Sequence, residues 1–220
     1  MGEWLDQNRH AVKGVLLDAG CGNQPFADWY HPLVERVVAL DAAPLEGVSV
    51  VGFADQLPFA EGSFDTVLCT EVLEHVANAE YACAELFRVL RPGGYLVVTV
   101  PYLYPTHEAP YDFRRFTHYG LRSLLERHGF EVVALDAKGG PVLLVAHFAV
   151  LAVQGALDAL GRLIGLRRRK ATELPVVRRA LAAPLEAGIA VRRRRRTRRG
   201  VGGLAARASL GYMALARRPV

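Results

Sequence analysis

Acidic and small polar residues recur directly behind short apolar runs in this chain of 220 residues. Asp18 lies at the end of VLLDA, Asp41 follows RVVAL, Asp55 follows VSVVGF with one residue between, and Thr70 and Glu71 follow FDTVLC. Between the first two acids stands Gly20-Cys21-Gly22, where glycines let the backbone turn tightly and come close to a ligand. Carboxylates accept hydrogen bonds from hydroxyl and amino groups. If the apolar runs are parallel strands, all these groups gather at the carboxyl edge of one sheet, where α/β proteins hold their ligands. Asp41 is then placed to accept from the two hydroxyls of a ribose, and Asp55 from an adenine amino group. The competing reading, loop acids and helix caps, explains each acid singly but the row of them poorly.

The elements that must carry these groups can be read from periodicity. Residues 2–13 predict a short leading helix with Trp4 and Leu5 turned inward. Strands are expected at Val15–Ala19, 36–40, 48–53, 64–69, 95–100 and 129–137. Helices are expected at 25–34, 78–90 (Ala82, Leu86, Val89 and Leu90 on one face) and 120–128 with Thr117 as cap, while Pro92-Gly93-Gly94 separates helix from strand. Glu71, Glu74 and His75 are expected to open the helix behind the fourth strand, with Glu74 at its positive N-terminal end. Strands alternating with helices imply βαβ units and an α/β fold with a doubly wound parallel sheet.

The segments VLLDAGCG, ADQLPFAEGSFDTVLCTEVLEHV and LFRVLRPGGYLVVTVP, with the acid behind the second strand, resemble the successive motifs of class I S-adenosylmethionine-dependent methyltransferases (type 11-like domains) over residues 15–137. The resemblance implies a Rossmann-like seven-stranded sheet whose last strand is antiparallel, and S-adenosyl-L-methionine as cofactor. It implies cofactor contacts at Asp18, Gly20, Cys21 and Gly22 (methionine end), Asp41 (ribose), Asp55, Gln56 and Leu57 (adenine) and Thr70 (floor). No metal is expected: Cys21, Cys69 and Cys83 lack ligand spacing and suit buried thiols of a reducing cytoplasm. A dinucleotide-binding fingerprint fails because Pro25 stands where its third glycine belongs.

Behind the fifth strand, residues 101–117 form a long connection rich in His107, Glu108, Tyr111, Asp112, Arg114 and Arg115, and connections of that length are usually functional. HEAPYDFRRFT resembles a segment of a methyltransferase subgroup associated with envelope-glycan and lipid modification. His107 is the expected general base or acceptor partner, with His75 as the alternative, and Tyr111, Asp112 and Arg115 as acceptor-binding residues. For Asp112 the alternative is an ion pair with an arginine that staples the loop.

Charge divides the chain. Residues 141–220 hold 17 Lys/Arg against 3 acids, and residues 1–140 carry a net −9. Residues 1–138 are read as the core, 139–205 as an insertion between strands six and seven, and 206–220 as the last strand (210–218). From Val142 to Leu157 only His147 and Gln154 interrupt an apolar run whose 16 residues fall short of the roughly 20 that span a bilayer. A helix lying on an anionic membrane surface is expected instead, with Arg167–Lys170 and the arginines of 192–199 meeting headgroups. A helix apolar all round could equally cover a sheet or a second copy. Against nucleic acid stands the lack of any Phe, Tyr or Trp in residues 149–211, which leaves no stacking platform. The N-terminus, MGEWLDQNRH, has no apolar core and reads as no signal peptide. The expectation is a cytoplasmic or peripheral enzyme that methylates a small-molecule, glycan or lipid-linked acceptor. A membrane- or RNA-tethered binding module is the alternative.

Overall fold

The computed structural model describes residues 2–163 and 208–220. Its elements run α1 (Gly2–Gln7), β1 (Val15–Ala19), α2 (Ala27–Tyr30), β2 (Arg36–Asp41), β3 (Val50–Val51), β4 (Phe64–Thr70), α3 (Ala79–Val89), β5 (Leu90–Pro101), α4 (His118–Arg127), β6 (Glu131–Lys138), α5 (Pro141–Leu163) and β7 (Gly211–Arg217). They build a seven-stranded sheet of order β3-β2-β1-β4-β5-β7-β6. The neighbours from β3 to β5 pair in parallel, and β7 runs antiparallel between β5 and β6. This is the Rossmann-like α/β sheet with an antiparallel last strand that the motifs implied.

The central strands are apolar on both faces because helices cover both. Leu16, Leu17, Val67, Leu96, Val98, Leu215 and Ala216 are fully buried. Trp4 and Leu5 of α1 pack with Leu68, Val97, Met213 and Leu215, and Trp4 Nε1 donates to Asp136 Oδ2 at 2.9 Å. In α3 the buried positions Ala79, Ala82, Cys83, Leu86 and Val89 follow helical spacing, and the Asn78 side chain caps it by accepting from Glu80 N at 3.1 Å. Thr117 caps α4 through Gly120 N at 3.0 Å.

Three local readings change. The helix expected at 25–34 is a single α-turn, Ala27–Tyr30, tightening into a 3-10 turn His31–Leu33. Pro32 lacks the N–H that would continue the ladder. The third strand shrinks to Val50–Val51, an edge pair with Val51 largely exposed. Residues 71–78 form turns rather than a helix, so Glu74 sits at no helix terminus.

By contact density the chain divides into Met1–Lys138 with Gly211–Val220, and Gly139–Leu210. In the second unit α5 is one helix of 23 residues. Its window Pro141–Leu160 is long and apolar enough to cross a membrane, which removes the length objection drawn from the apolar run. Asp158 interrupts the composition but not the helix. The second apolar stretch and the arginines at 167–199 lie outside the described residues.

Candidate active site

The switch point of the sheet, where the order runs outward from β1 to β2 and from β1 to β4, opens at the tips of these strands. The loop behind β1 is tied to the tip of β2. Gly20 N and Cys21 N both donate to Leu40 O (2.8 and 3.0 Å), and Gly22 N donates to Asp41 Oδ2 at 2.8 Å. Gly20 and Gly22 both have positive φ (+74° and +51°), but they serve different ends. A Cβ on Gly20 would stand 2.3 Å from Val72 Cγ2, so this glycine lets the loop touch the turn behind β4; Gly22 faces open space. Cys21, expected among the cofactor contacts, is buried by side chain and engaged by its N–H, and burial pushes its thiol up to about 11.

Asp18 is buried at the tip of β1, 3.1 Å from Tyr30 Oη, which also lies 3.3 Å from Gln24 Oε1. Burial pushes its carboxyl up to about 6, the Tyr30 hydrogen bond opposes that, and the charge of Asp41 adds to it. Tyr30, in the truncated α2, had no signal in the sequence as a partner of Asp18. Asp41 at the tip of β2 accepts from Gly22 N with one oxygen and from Ala43 N (3.0 Å) with the other. From β3, paired to β2 at Asp41↔Val51, the chain enters the turn Phe53–Gln56, which holds Asp55. Behind it, Leu57 is buried and donates its N–H to Glu85 Oε2 at 2.8 Å. Arg88 joins that carboxylate to Leu57 O and Phe59 O (3.0 and 2.7 Å). This α3 pair at i, i+3 fixes the segment after Asp55, a role that its spacing could have suggested.

Behind β4, Thr70 ends the strand opposite Thr99 of β5. Glu71 adopts φ +55°, with its carboxylate held by Thr99 Oγ1 (2.6 Å) and Lys138 Nζ (2.9 Å). Glu74 is fully buried, and neither of its oxygens has a hydrogen-bond partner. Burial, then the charge of Glu71, pushes its carboxyl up to about 8.

The 101–117 loop is zipped onto this turn by Phe113 N to Glu74 O (2.9 Å) and Arg114 Nη2 to Ala77 O (2.6 Å). The two expected bases therefore meet, with His75 Nε2 lying 3.1 Å from His107 Nε2. Asp112 pairs with Arg115 (Nη2 to Oδ2, 2.7 Å) and accepts from His107 N at 2.9 Å, while Arg115 also holds Tyr104 O and Pro105 O. The Arg115 guanidinium holds the Asp112 carboxyl well below the usual range. These two residues, expected to bind the acceptor, staple the loop and set His107. Tyr111, also expected to line the acceptor site, points a largely exposed ring to solvent and offers its carbonyl to His75 Nδ1 at 2.9 Å.

Comparison with known proteins agrees with this sheet topology. Residues 17–98 match the family described as methyltransferase domain. A demethylmenaquinone methyltransferase of Renibacterium salmoninarum is 41% identical over 120 residues, covering 51% of this chain and 49% of that protein. A malonyl-[acyl-carrier protein] O-methyltransferase of Serratia marcescens is 34% identical over 92 residues (37% and 36%). A ubiquinone biosynthesis O-methyltransferase of Dechloromonas aromatica is 29% identical over 110 residues (42% and 46%). The chain thus spans about half the length of the curated relatives it matches, or less. In fold it is similar to the [4+2]-cyclase SpnF (TM-score 0.61, 19% identity, 99% of this chain and 80% of that one). It is also similar to 1,6-didemethyltoxoflavin-N1-methyltransferase of Burkholderia thailandensis, solved with S-adenosylhomocysteine (0.54, 17%, 94% and 71%). Residues 17–98 thus match a methyltransferase domain, and the motif series and sheet order agree with the class I S-adenosylmethionine-dependent methyltransferase fold.

Proposed function

We propose that the chain binds S-adenosylmethionine across the tips of β1, β2 and β4 and transfers its methyl group to a hydroxyl of a small-molecule, glycan or lipid-linked acceptor at a membrane surface. The observation that carries the cofactor reading is the Asp41 carboxylate, fastened to the Gly22 amide beside the open face of the glycine loop. Fold alone would not suffice, since a cyclase shares it. The ubiquinone and malonyl-carrier relatives, both named O-methyltransferases, support oxygen as the acceptor atom.

In this reading the sulfonium is already an activated leaving group, and the protein's main task is placement. In-line positioning supplies roughly 7–11 kcal/mol, against roughly 3–5 kcal/mol from proton transfer worth about 10²–10⁴-fold. His107→Ala is therefore expected to lower kcat by about 10²–10⁴-fold, leave a measurable rate, and leave S-adenosylhomocysteine affinity unchanged. Single-turnover methyl transfer and calorimetry check the two halves. Tritiated methyl transfer into a cell extract, separated into lipid, polysaccharide, RNA and protein pools, identifies the acceptor, and label in RNA alone would overturn the small-molecule, glycan or lipid-linked reading.

The membrane part rests on α5 and on connectivity. Lys138 and Gly211 are cross-strand partners, so the inserted segment leaves and rejoins the core at one place. A single crossing by the helix, about 34 Å long, would strand that return on the wrong side. A second crossing through 174–191 would bury Arg178, Arg179 and Glu186, at roughly 2.5–3.5 kcal/mol for each Arg or Asp-like charge at the bilayer centre. A helix lying in the interface avoids both costs. Val142, Val145, Phe148, Val153 and Leu160 are exposed for it, and the basic residues beyond 160 suit anionic headgroups. Flotation with phosphatidylglycerol-containing vesicles should persist at high salt, because apolar burial is not screened, whereas association with RNA would fall steeply. Removal of residues 141–203 without loss of flotation would refute the attachment.

A further inference from the structure

The meeting of His75, His107 and Glu74 has a consequence that methyl transfer does not require. We propose that these three residues bind one divalent transition-metal ion of the Zn²⁺ class, with the remaining coordination position open to the acceptor oxygen.

The geometry is that of a ligand set. His75 Nε2, His107 Nε2 and Glu74 Oε1 form a triangle with sides of 3.1, 3.8 and 4.0 Å. The point equidistant from its corners lies about 2.1 Å from each, which is the bonding distance of Zn²⁺ to imidazole nitrogen and carboxylate oxygen. Two histidines and one carboxylate are the donors of a catalytic rather than a structural site, since three protein ligands leave a position for water or substrate. Imidazole with carboxylate selects transition metals over Mg²⁺ or Ca²⁺.

Proton placement points the same way. The carbonyl of Tyr111 can only accept, so His75 Nδ1 carries the proton there, and in the neutral ring Nε2 is bare. A neutral His107 has two choices. With the proton on Nδ1, 3.4 Å from Asp112 Oδ2, two bare Nε2 atoms face each other at 3.1 Å. With the proton on Nε2, the buried Nδ1 has no donor and turns its lone pair toward a carboxylate. Either neutral arrangement contains a repulsion that a proton or a metal cation between the rings removes. A backbone carbonyl on one Nδ1 and a carboxylate beside the other are the partners that ligating histidines usually have. Glu74 supplies the third, independent sign: a fully buried side chain whose two oxygens are both unpartnered. A buried carboxylate in that condition is costly unless it is paired or coordinates a metal. Both histidines remain partly exposed, so an ion can enter.

The role in catalysis rests on the methyltransferase reading; the binding of metal does not. At the open position a hydroxyl would bond the ion through oxygen and lose its proton more readily. The proton passes to water, and the oxygen attacks the cofactor's methyl carbon as the carbon–sulfur bond breaks.

The test titrates chelator-treated full-length protein with ZnCl₂ by calorimetry, repeats it with Glu74→Gln and His107→Ala, and measures S-adenosylhomocysteine affinity in each sample. One Zn²⁺ per chain is expected in the wild type. Each substitution should weaken it by more than the roughly 10–100-fold that loss of a ligand's supporting partner costs, with cofactor affinity kept as evidence of folding. Co²⁺ substitution should give a visible d–d absorption that His107→Ala lacks. Wild-type protein that binds S-adenosylhomocysteine but no Zn²⁺, or Zn²⁺ binding indifferent to both substitutions, overturns the proposal and leaves the methyltransferase reading standing. Zn²⁺ binding that depends on these residues, in protein that ignores the cofactor, does the reverse.

Discussion

Asp41→Ala is expected to weaken S-adenosylhomocysteine binding by about 10²–10⁴-fold while the protein stays folded. One carboxylate oxygen of Asp41 accepts from Gly22 N at 2.8 Å and the other from Ala43 N at 3.0 Å. An ionised carboxylate offers about four acceptor positions, so one remains on each oxygen for the two neighbouring hydroxyls of a ribose. A hydrogen bond to a charged group contributes about 1.5–3 kcal/mol. Losing two therefore costs about 3–6 kcal/mol, and each 1.4 kcal/mol is tenfold in affinity. Alanine also frees the Gly22 amide, which loosens the loop and adds to the loss. Asp41→Asn should fall between, because the amide keeps one acceptor oxygen and presents a donor in place of the other. Calorimetric titration at fixed ionic strength measures the ladder, with circular dichroism melts to confirm folding. An alanine variant that binds as tightly as the wild type would remove the ribose assignment and with it the orientation given to the cofactor.

The strand tips were legible in the sequence because their pattern is local. An apolar run ending in Asp18, Asp41 or Thr70 contains both the strand and its functional end, and pairing in the sheet did no more than bring these ends side by side. The acceptor side was legible only as a list of residue types. The sequence reading places Glu74 and His75 at the start of the helix behind the fourth strand. Residues 71–78 instead turn beneath the 101–117 loop, through Phe113 N to Glu74 O and Arg114 to Ala77 O. Those contacts join residues 37 or more apart, and no short-range pattern encodes them. Separation by 32 residues likewise hid the meeting of His75 with His107, whereas the staple between Asp112 and Arg115, three residues apart, was legible as the alternative reading of Asp112. In α5 the error was one of counting. The apolar run was closed at Asp158, yet one carboxylate does not end a helix that has no proline or glycine pair behind it, and Pro141–Leu163 continues through it.

Asp18→Asn is expected to make the ligand-free protein more stable at neutral pH while weakening its hold on the cofactor. Desolvation at the buried tip of β1 raises the Asp18 carboxyl from 3.8 to about 6. The folded state therefore holds this proton more tightly than the unfolded chain does. The stabilisation is complete below pH 3.8 and is lost as pH rises through about 6, so this group lowers stability between those values. A shift of that size corresponds to about 3 kcal/mol. At 2–4 °C per kcal/mol for a chain of this length, the loss is about 6–12 °C in Tm. Asparagine keeps the shape and an acceptor for Tyr30 Oη but carries no charge to desolvate. The difference in Tm between variant and wild type should be near zero at pH 4 and grow to that value by pH 7, with the acids common to both proteins cancelling. Bound cofactor should narrow the gap, since the cationic sulfonium and ammonium groups favour the ionised aspartate that asparagine cannot supply. A constant difference in Tm across pH 4–7 would mean that Asp18 is ionised in the folded protein throughout. Desolvation of the charged strand tip would then not be what the site trades for binding.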